Sequence, residues 1–266
     1  VALAEEELIT NGSFREVGTN VVDCGDFSCA VPTDYWTFGT GWSVGDSKAV
    51  YDGTGSTSKI FQDITVSANT SYKISITVLS NEGTGTNIIE LGSDRVNSAH
   101  LPASATPYVF YGISDATTER LNIYGRSGEV FEVTNISIQE VGQDWTLQDG
   151  ASVGEDKAII SGDGSLFGYI EQTTVFESGK SYKVTLDAVI TTGGGLNVKY
   201  GLSYADNIGS ITETSSPTFY YTAAANSSLI IGRSTGGVAY DSSVTNISVE
   251  EVGELKVDIG GAPVQS

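Results

Sequence analysis

The chain contains two copies of one sequence module. Residues 36–48 read WTFGTGWSVGDSK, and residues 145–157 read WTLQDGASVGEDK. The copies also end alike, with TNISIQEV at 134–141 and TNISVEEV at 245–252. Repetition of a whole module predicts two domains of one fold. We expect positions that are equal in both copies to serve the fold, and a site in one copy to lie at positions that differ.

Short runs of alternating apolar and polar residues fill both copies, which predicts β-strands. In the first copy the predicted strands are residues 58–66, 72–79, 86–91, 108–113, 121–124 and 133–141. In the second copy they are residues 168–176, 182–190, 196–202, 218–222, 229–231 and 244–252. Turns rich in Gly, Asn and Asp separate the runs. The pattern favours an all-β fold of two tandem antiparallel β-sandwiches, jelly rolls rather than immunoglobulin-like domains.

The repeat also sets the predicted domain boundaries. We expect an N-terminal arm at 1–7, a first jelly roll at 8–141 and a second at 142–252, followed by a tail at 253–266. The join at 142–144 is too short for a free linker, so we expect a fixed relation between the domains.

The charge of the chain excludes some partners. Thirty-three acidic against thirteen basic residues give a formal charge of −20, which repels nucleic-acid phosphates and anionic lipids. No stretch is long and apolar enough to span a bilayer, so we expect neither nucleic-acid binding nor membrane insertion. The same charge favours solubility, and its carboxylates suit calcium.

The two cysteines lie close together in the segment Cys24-Gly-Asp-Phe-Ser-Cys29, which the second copy lacks. The short spacing with a glycine permits a disulfide. A metal site is disfavoured because His100, the single histidine, lies far away in the sequence. An oxidised pair would indicate an extracellular protein.

Few residues suit catalysis. The chain has no Gly-x-Ser-x-Gly motif, no His-Glu-x-x-His motif and no phosphate-binding glycine loop before a helix. An acidic pair, such as Asp23 with Asp26 or Glu171 with a carboxylate from another strand, stays open as a glycosidase dyad. We expect a protein that is not an enzyme.

Several phrases resemble known modules. They are NGSF at 11–14, QDITV at 62–66 before SYKI at 71–74, the closing Asn-Ile-Ser strand, and EVGQDW at 140–145. The first three resemble carbohydrate-binding modules of the galactose-binding-like jelly-roll type, and EVGQDW further resembles the tandem modules of bacteriophage tail and virion structural proteins. The resemblance implies a non-catalytic role in gripping polysaccharide, decorating a particle or spacing an assembly. The second copy lacks the NGSF segment.

A sugar ring has an apolar face and a polar rim, so aromatic residues are the candidates for glycan binding. Trp42, Tyr51 and Tyr124 are aromatic where the second copy has smaller or aliphatic residues, with Tyr124 aligned to Ile231. A bulkier core is the alternative for all three. In the second copy the candidates are Tyr204 and Tyr240, in predicted loops.

A structural calcium is the one cofactor that the sequence suggests. Asp52 and Asp163 lie in equivalent glycine-rich turns that offer carboxylate and carbonyl oxygens. A simple turn is the alternative at both positions.

Two functions compete. The first is a structural protein of a virion or other surface assembly, a homo-oligomer whose arm or tail contacts other subunits; residues 255–259 could pair with a sheet edge. The second is a pair of glycan-binding modules from a secreted polysaccharide-degrading enzyme. The first places the protein in a virion and the second outside the cell, and both allow a polysaccharide ligand.

Overall fold

The computed structural model describes residues 7–54, 56–234 and 236–252. They form two compact units. The N-terminal unit contains residues 14–143 and 152–156, and the C-terminal unit contains the other described residues. The predicted tail at 253–266 and all of the predicted arm except Glu7 lie outside the described residues.

The N-terminal unit is built from two antiparallel sheets. Its strands are β1 (Val17–Asn20), β2 (Thr37–Phe38), β3 (Trp42–Gly45), β4 (Lys48–Tyr51), β5 (Ser58–Thr65), β6 (Thr70–Glu82), β7 (Ile88–Leu91), β8 (Asp94–Asn97), β9 (Tyr108–Ser114), β10 (Thr118–Gly125) and β11 (Val130–Val141). A short 3-10 helix at Pro32–Asp34 precedes β2. One sheet has the order β3-β4-β11-β6-β9, with β1 also paired to β11, and the other has the order β2-β5-β10-β7-β8.

The C-terminal unit repeats this plan. The strands of its sheets are β12 (Thr146–Gln148), β13 (Ala151–Gly154), β14 (Lys157–Gly162), β15 (Tyr169–Phe176), β16 (Ser181–Thr192), β17 (Leu196–Lys199), β18 (Asn207–Ile211), β19 (Thr218–Thr222), β20 (Ser227–Arg233) and β21 (Tyr240–Val252). By sheet pairing β13 belongs here, although residues 152–154 are counted in the compact N-terminal unit. The sheet orders are β13-β14-β21-β16-β19 and β12-β15-β20-β17-β18.

The strand order in each unit is that of a jelly roll. From β4 onward the chain alternates between the sheets, except that β7 and β8 are neighbours in one sheet. The last strand, β11, lies between β4 and β6, and β10 lies between β5 and β7. This is the nested pairing of two Greek keys. Two jelly-roll sandwiches were predicted, and the fold class is confirmed. The predicted strands left out the short strands of both units, whose patterns are too brief to stand out: β1–β4, β8, β12–β14 and β18.

The cores come from the inward residues of alternating strands. In the N-terminal unit they form one buried cluster centred on Trp36, Tyr51, Tyr72 and Phe131. Burial of aromatic and β-branched side chains between the sheets supplies most of the stabilisation of a sandwich. No helix in the described ranges is long and apolar enough to cross a membrane.

The lead-in segment, residues 8–14, differs from its prediction. It was assigned to the first domain, but its backbone pairs with the last strand of the C-terminal unit. The Leu8 amide donates to the Val249 carbonyl at 2.9 Å, and the Gly12 carbonyl accepts from the Ile247 amide at 3.0 Å. A Cβ atom at Gly12 would lie 2.0 Å from the Ile247 oxygen, so only glycine permits this approach.

A second lead-in segment, residues 21–27, makes the same contacts in the N-terminal unit. The Val21 amide donates to Ile138 at 2.9 Å, and the Gly25 carbonyl accepts from Ile136 at 2.9 Å. A Cβ atom at Gly25 would lie 1.9 Å from the Ile136 oxygen. The left-handed residues match as well, since φ is 50° at Asn11 and Cys24, and 55° at Phe14 and Phe27.

A buried glutamine holds each lead-in segment. Gln172 accepts from the Thr10 amide at 3.1 Å and donates to the Thr10 carbonyl at 3.0 Å. Gln62 makes the same pair of bonds with Asp23, both at 2.9 Å. The second copy therefore has a lead-in segment after all, supplied by residues that precede the N-terminal unit in the chain.

Candidate functional site

Two of the predicted glycan-binding aromatics lie in the core of the N-terminal unit. Trp42 is 8% exposed and Tyr51 is fully buried. Their ring centroids are 5.4 Å apart, and the Trp42 ring meets Phe131 edge-on at 6.2 Å. The Tyr51 hydroxyl donates to the Ser56 carbonyl at 2.9 Å. This placement favours the alternative interpretation of both, as bulkier core residues.

Tyr240 is also buried, at 4% exposed. Its ring lies 5.5 Å from the Arg233 guanidinium carbon, and its hydroxyl donates to the Asp149 carbonyl at 3.3 Å. Neither ring face is open for a sugar to stack on.

Tyr204 is the most exposed of the predicted aromatics, at 86%. It lies in the loop between β17 and β18, which internal hydrogen bonds hold in place. The Lys199 ammonium donates to the Leu202 carbonyl at 3.0 Å, and the Asp206 carboxylate accepts from the Ser203 amide at 2.9 Å. Burial lowers the pKa of Lys199.

The predicted calcium ligands form Asx turns. Asp52 Oδ1 accepts from the Thr54 amide at 2.9 Å and hydroxyl at 2.7 Å, and Asp163 makes the same two bonds with Ser165. These bonds lower the pKa of both aspartates. Among the described residues, no three His, Cys, Asp or Glu side chains cluster as metal ligands would. The calcium site stays a prediction.

Cys24 and Cys29 are joined by a disulfide with their Cα atoms 5.7 Å apart. Since Cys24 belongs to the second lead-in segment, the bond stiffens the turn that follows it. The Trp36 indole donates to the Cys24 carbonyl at 3.2 Å. The disulfide thus lies beside the core, in a structural position.

Tyr124 points away from the core, on the sheet that contains β5, β10 and β7. The strand register shows that its equivalent in the second copy differs from the one predicted. Ile60 pairs with Ile123, and Ile170 pairs with Ile231, all four pointing inward. Tyr124 therefore matches the glycine that follows Ile231, and not Ile231 itself. The shared Gly-Arg-Ser phrase had shifted the alignment by one residue.

The neighbours of Tyr124 form a mixed aromatic and polar surface, which we call the outer face. It consists of the outward residues of three strands: Lys59, Phe61 and Asp63 on β5, Arg120, Asn122 and Tyr124 on β10, and Glu90 on β7. The strand pleat fixes these side chains on one side of a hydrogen-bonded sheet.

Lys59 links the two rings of the outer face. Its ammonium lies 5.5 Å from the Phe61 centroid and 5.3 Å from the Tyr124 centroid. Both distances are within the range of a cation–π interaction. Lys59 has no ion pair or hydrogen bond with any residue that the structure describes.

The carboxylates of the outer face are each bound by an arginine. Arg120 holds Asp63 with two bonds, Nε to Oδ1 at 2.6 Å and Nη2 to Oδ2 at 2.9 Å, which lowers the pKa of Asp63. Glu90 accepts from Arg95 at 3.5 Å and from the Tyr124 hydroxyl at 2.9 Å. Burial, with this hydrogen bond, raises the pKa of Tyr124.

Sequence reasoning found Tyr124 but missed Lys59 and Phe61. The signal was present, because a period of two places Lys59, Phe61 and Asp63 on one side of a strand. Phe61 is also aromatic where the second copy is not, because it matches Glu171.

No protein-family model matches the sequence, and no curated protein is significantly similar to it. Solved structures show weak likenesses. The tandem CBM22 domains of Paenibacillus barcinonensis Xyn10C align over 95% of this chain and 99% of theirs, with 11% identity and a TM-score of 0.32. A fucolectin from striped bass (Morone saxatilis) serum aligns over 78% of this chain and 86% of its own, with 11% identity and a TM-score of 0.26.

A Paenibacillus xanthan lyase aligns over 94% of this chain but only 26% of its own, with 12% identity and a TM-score of 0.31. Scores this low assign neither a family nor a ligand to the chain.

Proposed function

We propose that this chain is a non-catalytic glycan-binding protein, and that the outer face of the N-terminal unit is its binding site. The observation that carries the proposal is the set of side chains on that face. Two aromatic rings, Phe61 and Tyr124, stand among amide, carboxylate and ammonium groups on a rigid sheet. The Arg120 guanidinium carbon already lies 4.2 Å from the Phe61 ring centroid. The ring surface that Arg120 leaves uncovered, with the Tyr124 ring, suits the C–H face of a sugar, and the polar groups suit its hydroxyls.

Charge and burial on the outer face fit a surface that recognises a polar ligand. Asn122 is 4% exposed and its Oδ1 has no hydrogen-bond partner among the described residues. A buried polar atom without a partner is costly, and a ligand hydroxyl would reach this one only if the side chains that cover it moved aside. Asn122 stands directly opposite Phe61 on the neighbouring strand.

The proposal includes an extracellular location. A structural disulfide between Cys24 and Cys29 forms and persists in oxidising surroundings. Such a location agrees with the second function predicted from the sequence, a pair of glycan-binding modules from a secreted polysaccharide-degrading enzyme.

A glycan array on the purified protein, with and without calcium, tests the proposal. We expect saturable binding that Phe61→Ala weakens by about 1–3 kcal/mol, the usual size of a hot spot. Tyr204→Ala, which removes an exposed aromatic from the C-terminal unit, is the matched control and should bind as the parent does. If only Tyr204→Ala lost binding, the site would lie in the C-terminal unit instead. Absence of binding to every glycan on the array would refute the function.

A structural role in a virion or other surface assembly is the second candidate, and one observation favours it. Strand β9 is the edge of its sheet and exposes Val109 and Ile113, at 43% and 41%. An exposed apolar edge strand is suited to pairing with another chain. Light scattering after size-exclusion chromatography should then show an oligomer that Val109→Lys with Ile113→Lys dissociates; a monomer at every concentration would rule it out.

A further inference from the structure

We infer that the outer face binds a glycan with an anionic group on the ring, a uronate carboxylate or a sulfate ester, and that Lys59 is the residue that recognises it. This inference rests on the proposed function and names the ligand class. It starts from the one cation of the face that has no carboxylate partner among the described residues.

The ion pairs of the outer face single out Lys59. Arg120 is committed to both oxygens of Asp63, and Arg95 is paired with Glu90. The Lys59 ammonium carries three donors, none with an acceptor among the described residues. The face therefore has unused positive charge and unused hydrogen-bond donors at the same atom.

The rings of Phe61 and Tyr124 hold this ammonium in place. Two aromatic rings within 5.5 Å restrict its position without neutralising its charge. A sugar that stacked beside these rings would bring a ring substituent within reach of the ammonium. A carboxylate or sulfate there would form a charge-assisted hydrogen bond, which is shorter and stronger than a neutral one.

The net charge of −20 does not oppose this contact. At physiological salt the screening length is about 8 Å, so the ligand responds mainly to groups on the outer face. Those groups are Lys59 and Arg120, together with Arg95 of the neighbouring strand β8, against two carboxylates, Asp63 and Glu90. The face is locally positive on an acidic protein.

The C-terminal unit lacks the arrangement. By the strand register, Tyr169 replaces Lys59, Glu171 replaces Phe61 and Lys199 replaces Glu90. Lys199 is 4% exposed and bonded to its own loop, so it does not offer a free ammonium. The anion site belongs to one unit only.

Matched ligand pairs test the inference on the full chain. The pairs are oligogalacturonate with its methyl ester, and dextran sulfate with dextran, so that charge changes while the sugar backbone is kept. We expect the charged member of one pair to bind about tenfold more tightly, with an affinity that falls as salt rises. The pair that responds distinguishes a carboxylate from a sulfate.

Variants then assign the preference to Lys59. Lys59→Met keeps an unbranched stem against the rings and should remove the preference for the charged member, whereas Lys59→Arg should keep it. Lys183→Met, which makes the same change in net charge at a lysine paired with Glu250, is the control and should leave the preference intact.

The outcomes separate the two proposals. Equal binding of charged and neutral members, with Phe61→Ala still harmful, would overturn the inference and leave the glycan-binding function standing. A preference that survives Lys59→Met would also overturn it. Absence of binding to every glycan would overturn both.

Discussion

On strands β5 and β15, inward residues agree between the units and outward residues do not. Ile60 and Gln62 match Ile170 and Gln172, but the intervening Phe61 matches Glu171. The inward residues pack the sandwich and bind the lead-in segment, so their chemistry is fixed by contacts that both units need. The outward residues do not make these contacts, so their chemistry can differ between the units. This contrast locates a ligand site more sharply than aromatic content does.

The largest expected effect concerns the lead-in segment of the C-terminal unit. Deleting residues 1–13 removes the partner of β21 and removes the amide that donates to Gln172 Oε1. We expect the C-terminal unit to lose cooperative unfolding and the N-terminal unit to keep it. Hydrogen exchange of β21 against β11 measures this.

A deletion that ends at residue 6 is the control, since it leaves every hydrogen bond of the lead-in segment in place. If the β21 amides stayed protected from hydrogen exchange after deletion of residues 1–13, the segment would not be needed for the fold of the C-terminal unit.

Trp42→Ala comes next in size and compares a core tryptophan with Ala151, its equivalent in the second copy. Because Trp42 packs on Tyr51 and Phe131, we expect the N-terminal unit to lose about 3–5 kcal/mol of unfolding free energy. Denaturant unfolding gives this value. Glycan affinity of the folded protein should not change, and a loss of affinity at constant stability would return Trp42 to the list of ligand residues.

The two lead-in glutamines allow a direct comparison of the units. Gln172→Ala and Gln62→Ala should each destabilise its own unit, by about 1–3 kcal/mol, because buried backbone groups lose their partner. Gln172 should have the larger effect, since it also donates to the Asp144 carbonyl at 3.3 Å. Gln148→Ala, at an exposed position, serves as the control. Equal destabilisation of both units by either variant would contradict the assignment.

The smallest effect is a difference in acid sensitivity. Asp187 matches Thr77 of the N-terminal unit, and hydrogen bonds from Ser216 and Asn246 lower its pKa. A carboxylate with a lowered folded-state pKa stabilises above its unfolded pKa, and this stabilisation is lost as the pH falls through the folded one.

Asp187→Asn should therefore lower the stability of the C-terminal unit at pH 7, with the difference from the parent shrinking below about pH 4. Unfolding transitions recorded across pH measure it. A difference that stayed constant into acid would show that the carboxylate charge contributes nothing.

The fold was predictable because it depends on local patterns. The alternation of apolar and polar residues predicts the strands, and the repeat predicts two domains of one fold. Long-range pairing was beyond the same reasoning. Residues 8–14 and 21–27 share only the spaced pattern of two apolar residues, a glycine and a phenylalanine, and nothing in that pattern says which body each segment joins.

The candidate site was predicted only in part. Tyr124 was selected, but Trp42, Tyr51 and Tyr240 proved buried, since aromatic residues in a sandwich serve the core as readily as a surface. The alternation of β5 places Lys59 on the same side as Phe61, but it does not show that Lys59 lacks a carboxylate partner. Its importance arises from two rings on neighbouring strands and from arginines that occupy the nearby carboxylates, which only the register brings together.

The position of the first lead-in segment has a consequence during synthesis on the ribosome. Residues 8–13 are translated more than 220 residues before β21, their partner. At about 5–20 residues per second the delay is on the order of 10–50 s. The N-terminal unit can complete its fold as it emerges, whereas the segment that completes the C-terminal unit must wait without a partner until β21 has been translated.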